Sequence, residues 1–271
     1  MHPQSRLARC LSVERSGIAR LRFSTPRLNS DQSYRGGAGL LNIAHRGASG
    51  SFPENTIRAF QAAADAGAAM CELDVRLTRD GVPVVIHDAT VDRTTGSRGA
   101  VAEMTLAEIR RLDAGVRCGA HFAGEPIPTL AEVFEALGDR CALNIELKAD
   151  GLERPVCAMI RARGAIATAM VSSFDWAALA RIKAIDAEVR IGVLADRDGG
   201  AMLAAARRLG AWAVNPRYNL CTPELVTAAH RQGFQVMVWT VDDVAAMRCM
   251  IGYGVDGIMT NYPERLSALV G

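Results

Sequence analysis

Apolar segments of strand length alternate with amphipathic segments of helix length from residue 40 to the end of the chain. The pattern predicts a strand at 40–44, a helix at 57–66 and a strand at 68–78, followed by a less regular stretch. Beyond residue 126 the alternation becomes regular. It predicts helices at 130–137, 154–163, 176–185, 200–209, 223–232 and 243–251, a last helix after Pro263, and strands at 142–148, 169–174, 189–194, 212–216, 235–241 and 257–260.

The number of these units defines the expected fold. Eight strands alternating with helices in about 230 residues are typical of a TIM (β/α)8 barrel. A doubly wound open sheet is the alternative, but no GxGxxG motif follows the first strand. We therefore predict one α/β barrel domain over residues 39–271, preceded by a poorly ordered extension, residues 1–38.

A hairpin interrupts the alternation after the second strand. Asp80-Gly81 is typical of a two-residue hairpin turn, and residues 82–86 then run back as an antiparallel strand that is not one of the eight. With this dipeptide at the tip, two residues that face each other across the hairpin have numbers that add up to 161. His87 is therefore expected directly across from Asp74. Pro83 fits this return strand only if the strand lies at an edge.

Residues 89–126 are predicted to form a small insertion carried on the hairpin. The segment contains Gly and Thr turns, and Thr105 with Glu108 three residues later indicates a capped short helix. The same signal, at Thr129 and Glu132, opens the helix at 130–137. We interpret the two starts as shared helix-start chemistry and not as a repeat.

Charge is distributed unevenly along the chain. Residues 1–38 carry seven Arg against Glu14 and Asp31, a balance of +5, which leaves −3 for the remainder out of the net +2. A mildly acidic body argues against nucleic acid as the main partner. No apolar stretch follows the N-terminal charges, which argues against a secretory signal. An organellar transit peptide and an upstream start without a role remain open.

The cysteines and the apolar segments bear on location. The seven Cys form no CxxC motif, and several lie in apolar segments, as is typical of small core residues in a reducing compartment. No segment approaches the ~20 apolar residues that span a bilayer. These features favour a cytoplasmic protein without stable membrane insertion; a homodimer is possible.

Candidate chemistry lies where the predicted strands end. Glu72 and Asp74 share one face of their strand, because side chains alternate along it. Burying two carboxylates without partners costs several kcal/mol each, and an oxygen-bound divalent cation, Mg²⁺ or Ca²⁺, is the simplest remedy. The alternative is one exposed carboxylate and one salt-bridged carboxylate. Glu146 and Lys148 also share a face; Lys148 either neutralises Glu146 or supplies a compact positive charge to a ligand.

His45 and His87 fall at strand ends close to these carboxylates. A lone His is usually structural, but two at convergent strand ends beside an acid pair favour acid–base chemistry. His87, facing Asp74, is expected to be oriented by the cation's ligands. Trp239, also at a strand end, is either a core residue or a substrate platform.

These motifs occur in a specific order. The chain resembles the glycerophosphodiester phosphodiesterase family, closest to its bacterial cytosolic type, from about residue 41 to the C-terminus. The similarity rests on His45-Arg46-Gly47, Glu54-Asn55-Thr56, Glu72-x-Asp74, His87-Asp88, Asp92-Arg93-Thr94, Ile127-Pro128-Thr129-Leu130, Asn144-Ile145-Glu146-Leu147-Lys148 and Gly254-Val255-Asp256-Gly257.

The resemblance implies a TIM barrel with a small inserted region and a set of site residues, none of which is substituted here. It implies one divalent cation held by Glu72, Asp74 and Glu146. It also implies His45 and His87 as the acid–base pair, with the acid and the base left open, and Arg46 and Lys148 as phosphate contacts.

The implied reaction is metal-dependent hydrolysis of a small glycerophosphodiester to glycerol 3-phosphate and an alcohol, with water or a neighbouring substrate hydroxyl as nucleophile. One alternative is lysophospholipase D-like activity on single-chain lipids, which needs an apolar slot from Phe174, Trp239 or Phe122 of the insertion. The other is a barrel that binds phosphodiesters without turnover, against which the paired histidines argue.

Overall fold

A computed structural model describes residues 39–270. Its strands form one nine-stranded sheet in the order β1-β9-β8-β7-β6-β5-β4-β2-β3, and β1 also pairs with β2. Every neighbouring pair is parallel except β2 and β3, so eight strands close into a barrel. This confirms the TIM barrel and excludes the open sheet. The strands are β1 (Leu41–His45), β2 (Met70–Leu77), β3 (Pro83–Val85), β4 (Ala142–Leu147), β5 (Ala169–Ser173), β6 (Arg190–Ala195), β7 (Ala213–Pro216), β8 (Gln235–Val238) and β9 (Gly257–Thr260).

Helices surround the barrel and begin within one residue of the positions that the sequence predicts for the barrel helices. Most of their first turns are closed by side-chain oxygens that accept from backbone N–H groups, such as those of Thr56 and Asp175. The helix that begins at Glu153 has no side-chain cap. The helices of the described part are α1 (Ile57–Asp65), α2 (Asp92–Thr95), α3 (Leu106–Ile109), α4 (Leu130–Leu137), α5 (Glu153–Ala162), α6 (Trp176–Ile185), α7 (Gly199–Leu209), α8 (Pro223–Arg231), α9 (Val244–Tyr253) and α10 (Pro263–Val270). No helix within residues 39–270 is long and apolar enough to cross a bilayer.

The barrel interior is apolar at one end and polar at the other. Strand side chains fill the first end with a cluster of Ile43, Met70, Ala142, Met170, Ala213, Met237 and Met259. Two residues further along β2 and β4, the inward positions are Glu72 and Asn144, which are paired in register. The apolar cluster therefore forms a floor, and the carboxyl ends of the strands present polar groups above it.

The hairpin register differs from the prediction by one residue. Val75 pairs with Val85 and Leu77 with Pro83, and the N–H of Ile86 donates to the carbonyl of Asp74 (2.9 Å). The expectation that His87 lies directly across from Asp74 was therefore wrong. Because β3 lies at the end of the strand order, the edge position that Pro83 requires is confirmed.

Loop length explains the shift. The Thr78 N–H donates to the Val82 carbonyl (3.1 Å), which leaves three residues, 79–81, in the loop instead of two. Gly81 has a φ of +78°, the left-handed conformation that ends a three-residue hairpin loop. One additional loop residue moves every pair on the return strand by one position.

Residues 89–126 carry α2, α3 and two 3₁₀ turns, Val101–Glu103 and Ala120–Phe122. The capping box of Thr105 and Glu108 is present, as predicted. A separate apolar cluster joins this segment to β3 and consists of Val84, Ile86, Val91, Val101, Ile109, Ala114 and Ile127. The hairpin therefore anchors the segment beside the barrel mouth. The extension predicted for residues 1–38 lies outside the described residues.

Candidate active site

One cavity of about 210 Å³ opens at the carboxyl ends of the strands. Seven of the eight predicted site residues line it, and the eighth, Asp74, lies fully buried behind them. The cavity is also lined by Asn144, Ser172, Phe174, Leu194 and Met259. The barrel thus brings the predicted residues together although 194 positions separate His45 from Trp239.

Three carboxylates form the centre of the site. Glu72, Asp74 and Glu146 offer oxygens that all lie within 4.8 Å of one another, and each residue is less than a tenth exposed. They come from adjacent strands, since Asp74 pairs with Glu146 in the β2–β4 register. The alternative in which one carboxylate of β2 is exposed is thereby excluded.

Burial and mutual repulsion shift the ionisation of this cluster. Burial, followed by the charges of Asp74 and Glu146, raises the pKa of Glu72 well above its usual value. Burial raises the pKa of Glu146 to about 7, against the opposing effect of Lys148. Burial also disfavours ionised Asp74, but Arg46 and Lys148 outweigh it and lower the pKa of that carboxyl. The cluster therefore resists carrying all three negative charges.

Two cations lie against the carboxylates. The Lys148 ammonium is 2.5 Å from Glu146 Oε1 and 3.3 Å from Asp74 Oδ1, and Arg46 Nε is 3.1 Å from Asp74 Oδ2. Asn55 Nδ2 also donates to Asp74 Oδ2 (2.9 Å). Arg46 and Asn55 both have positive φ, at 57° and 59°, which directs their side chains to one carboxylate at a cost in backbone strain.

The donor set fits a hard divalent cation. The three carboxylates carry −3 against +2 from Arg46 and Lys148, so the cluster retains one negative charge when fully ionised. Glu72 Oε1 is buried and has no hydrogen-bond partner among residues 39–270. Oxygen-only donors of this kind suit Mg²⁺ or Ca²⁺, and a cation would satisfy both the remaining charge and the unpartnered oxygen.

His45 is held by Asn261, a residue that the sequence analysis did not include in the site. His45 Nδ1 lies 2.7 Å from Asn261 Oδ1. Asn261 donates through Nδ2 to Asp242 (2.6 Å), so its Oδ1 accepts and the neutral imidazole carries its proton on Nδ1. Nε2 is left without a proton, 4.0 Å from Glu72 Oε2. Burial, with the charge of Arg46, lowers the pKa of His45 to about 4.

His87 is oriented by its neighbour Asp88 and not, as predicted, by the cation's ligands. Its Nδ1 lies 2.7 Å from Asp88 Oδ1. Hydrogen bonds from Arg93 hold the pKa of Asp88 well below its usual value, so the carboxylate accepts and His87 Nδ1 donates. Nε2 is again free of a proton in the neutral ring. The adjacent acid in His87-Asp88 was a signal in the sequence for this partner.

Two aromatic rings line the mouth of the cavity. Phe174 is 43% exposed and meets Trp239 edge to face, with ring centroids 5.4 Å apart. Trp239 Nε1 donates to the Asn215 carbonyl (2.8 Å), which fixes the indole. Phe122 does not line the cavity; it is buried against Phe52, 5.7 Å between centroids, so its predicted contribution to an apolar slot was wrong.

A family model now decides the classification. The model of the "Glycerophosphoryl diester phosphodiesterase family" matches residues 45–265, most of the chain. The chain belongs to this family. The matched range contains all eight residues predicted for the site. It also contains residues 89–126, so the family model covers the segment that carries Arg93.

Individual relatives span the same region. A glycerophosphodiester phosphodiesterase of Caldanaerobacter subterraneus subsp. tengcongensis is 44% identical over 236 residues, which are 85% of this chain and 97% of the relative. The crystal structure of a glycerophosphodiester phosphodiesterase from Agrobacterium tumefaciens is similar, with a TM-score of 0.77 and 32% identity over 85% of this chain and 100% of that one. A phosphodiesterase from Oleispira antarctica, solved with the product sn-glycerol-3-phosphate, has a TM-score of 0.77 and 30% identity over 83% and 94%.

Proposed function

We propose that the chain hydrolyses glycerophosphodiesters to glycerol 3-phosphate and an alcohol, with a divalent cation and two histidines. The observation that supports this most directly is the convergence of three buried carboxylates and two imidazoles on one cavity. A barrel that only binds diesters has no use for two imidazoles whose Nε2 atoms are both free to exchange protons.

Glu72, Asp74 and Glu146 are proposed to hold the cation. When bound, the cation supplies Lewis-acid polarisation of a phosphoryl oxygen. The protein's own cations act beside it. Arg46 and Lys148 both line the cavity. They are proposed to contact the phosphate oxygens of the substrate and to stabilise the negative charge that develops on those oxygens.

The two histidines are proposed to move the protons. With a pKa of about 4, His45 is neutral at pH 7, and its free Nε2 accepts the proton of the attacking hydroxyl, from water or from a neighbouring substrate hydroxyl. His87, beside the ionised Asp88, takes up a proton as imidazolium and donates it from Nε2 to the departing alcohol oxygen. The bond to phosphorus forms on one side as the ester bond breaks on the other.

Release of glycerol 3-phosphate from glycerophosphocholine, measured with and without EDTA, tests this function. We expect turnover that EDTA abolishes and that Mg²⁺ or Ca²⁺ restores. Turnover unaffected by chelation contradicts the cation, and no turnover of any diester with either ion contradicts the enzyme and favours the binder.

The aromatic mouth favours a second substrate class. Phe174 and Trp239 form an apolar wall beside Lys148, whose ammonium lies 5.8 Å from the Phe174 ring centroid. A single acyl chain can lie against such a wall, so lysophosphatidylcholine is tested beside glycerophosphocholine in an assay of released choline, because its other product is lysophosphatidate and not glycerol 3-phosphate. Faster turnover of the lysolipid than of glycerophosphocholine would establish lysophospholipase D-like activity as the main one. A cytoplasmic location and a homodimer remain predictions.

Cation affinity is expected to depend on pH with a defined sign. Because the pKa of Glu146 is about 7, this ligand is protonated below pH 7 and must release its proton when the cation binds. The dissociation constant should therefore rise about tenfold per pH unit below 7, and more steeply where Glu72 also releases a proton. Calorimetric titration with Mg²⁺ in two buffers of different ionisation enthalpy measures the released protons. Affinity independent of pH between 5.5 and 8 contradicts this prediction.

A further inference from the structure

A continuous line of hydrogen-bonded polar side chains joins two residues that line the cavity, His87 and Arg46. We call it the charged bridge; it consists of His87, Asp88, Arg93, Glu54 and Arg46. Asp88 accepts from His87 Nδ1 (2.7 Å), and Arg93 Nε donates to Asp88 Oδ2 (2.7 Å). Arg93 also donates to both oxygens of Glu54, each at 2.7 Å, and Arg46 donates to Glu54 Oε1 (3.0 Å).

Arg93 is the centre of this bridge. One edge of its guanidinium, Nε and the second terminal nitrogen, faces Asp88, and the two terminal nitrogens face Glu54. A planar fork with five N–H donors can hold two carboxylates at once, which a lysine ammonium cannot do with the same geometry. Arg93 belongs to α2, in the segment carried on the hairpin, and not to the barrel itself.

Each carboxylate in the bridge has a second partner that lies in the cavity. Asp88 fixes the ring of His87, and Glu54 shares Arg46 with Asp74. Hydrogen bonds from Arg93 hold the pKa of Asp88 well below its usual value. Burial raises the pKa of Glu54, but hydrogen bonds from Arg93 and the charge of Arg46 outweigh it, so the net pKa lies below its usual value. Both carboxylates therefore remain ionised and keep their geometry.

We propose that Arg93 is a positioning residue that sets His87 and Arg46 in one geometry, and that the segment 89–126 contributes to turnover by supplying it. The proposal rests on the function proposed above. Arg93 itself touches neither the carboxylate cluster nor the reacting atoms, and it acts through Asp88 and Glu54.

Removal of Arg93 has two separable consequences. Asp88 loses the partner that fixes it, so His87 loses its orientation and kcat falls. Glu54 loses its bidentate partner and holds Arg46 more tightly. Arg46 is then less available to the phosphate of the substrate, so KM rises. We expect Arg93→Ala to lower kcat by about 10- to 100-fold, as misplacement of a catalytic group by about 1 Å does, and to raise KM several-fold.

The matched control is Arg98→Ala, since Arg98 is an exposed arginine of the same segment and lies outside the bridge. Arg93→Lys tests geometry against charge, and it should recover the KM more than the kcat, because an ammonium can still offset the charge of Glu54. The affinity for Mg²⁺ and the melting temperature should remain close to those of the wild type in all three variants. Equal kinetics for Arg93→Ala and Arg98→Ala would overturn the proposal.

A double-mutant cycle with Asp88→Asn distinguishes positioning from a general structural effect. Because both residues act on His87 along one route, the double variant should be no slower than the slower single variant. If the loss of kcat in the double variant equals the product of the two single losses, Arg93 does not act through Asp88.

NMR spectra of the His87 imidazole nitrogens test whether Arg93 orients His87 without any measurement of turnover. The wild type should show the tautomer protonated on Nδ1, and Arg93→Ala should lose it. An unchanged tautomer contradicts the proposal. If the wild type hydrolyses no diester, the proposed function fails while these spectra still decide whether Arg93 orients His87.

Discussion

Replacement of His45 by alanine is expected to lower kcat for glycerophosphocholine by about 10²–10⁴-fold, the usual contribution of a general base. His45 Nε2 lies in the cavity without a proton, and its pKa of about 4 makes the base form dominant throughout the neutral range. Since His45 is not one of the three residues proposed to hold the cation, the affinity for Mg²⁺ should be nearly unchanged. Steady-state kinetics and calorimetric titration measure the two quantities separately.

His230→Ala is the control for this variant. His230 also contacts a carboxylate, with Nε2 2.8 Å from Asp256 Oδ2, but it lies on α8 and does not line the cavity. Its kcat should equal that of the wild type. A His45→Ala enzyme with kcat within threefold of the wild type would refute the role of His45 as the base.

The pH profile gives a second check on His45. The loss of kcat/KM that comes from protonation of His45 should have its midpoint well below the usual 6.5, because burial and Arg46 disfavour the imidazolium in the free enzyme. Activity that instead falls with a midpoint near pH 6.5 would assign this loss, and with it the role of the base, to a group other than His45.

The barrel and most of the site could be predicted because the signals are local. Glu72 and Asp74 lie two residues apart on a buried strand, and the carboxyl ends of parallel strands meet at one edge. Helix starts such as Thr129 with Glu132 are likewise set by residues three positions apart. For these features, the pattern along the chain determines the position in space.

Features set by one backbone conformation or by the insertion could not be predicted in the same way. The hairpin register depends on the left-handed conformation of Gly81, which fits both a two-residue and a three-residue loop. Phe122 is buried because the inserted segment folds back onto Phe52. The contact of Arg93 with Glu54 joins residues 39 positions apart, and nothing in the local pattern specifies it.

Replacement of Glu146 by glutamine is expected to produce opposite effects on stability and on cation binding. Glutamine resembles the protonated carboxyl, and the pKa of about 7 means that ionised Glu146 is disfavoured in the folded protein. A group with a raised folded-state pKa costs stability as the pH rises from its unfolded value, near 4.5, through 7. Without cation at pH 8, the variant should therefore be more stable than the wild type, by on the order of 2–3 kcal/mol.

Cation binding should reverse this order. The wild type gains stability with the logarithm of the Mg²⁺ or Ca²⁺ concentration, because the folded state alone assembles the site. Glu146→Gln replaces one of the three proposed carboxylate ligands by a neutral amide, a weaker ligand for a hard cation, so its melting temperature should be higher without cation and respond less to added cation. Asp186→Asn is the control, since Asp186 lies outside the site at the end of α6. A Glu146→Gln protein whose melting temperature rises with cation as the wild type's does would show that Glu146 is not a ligand.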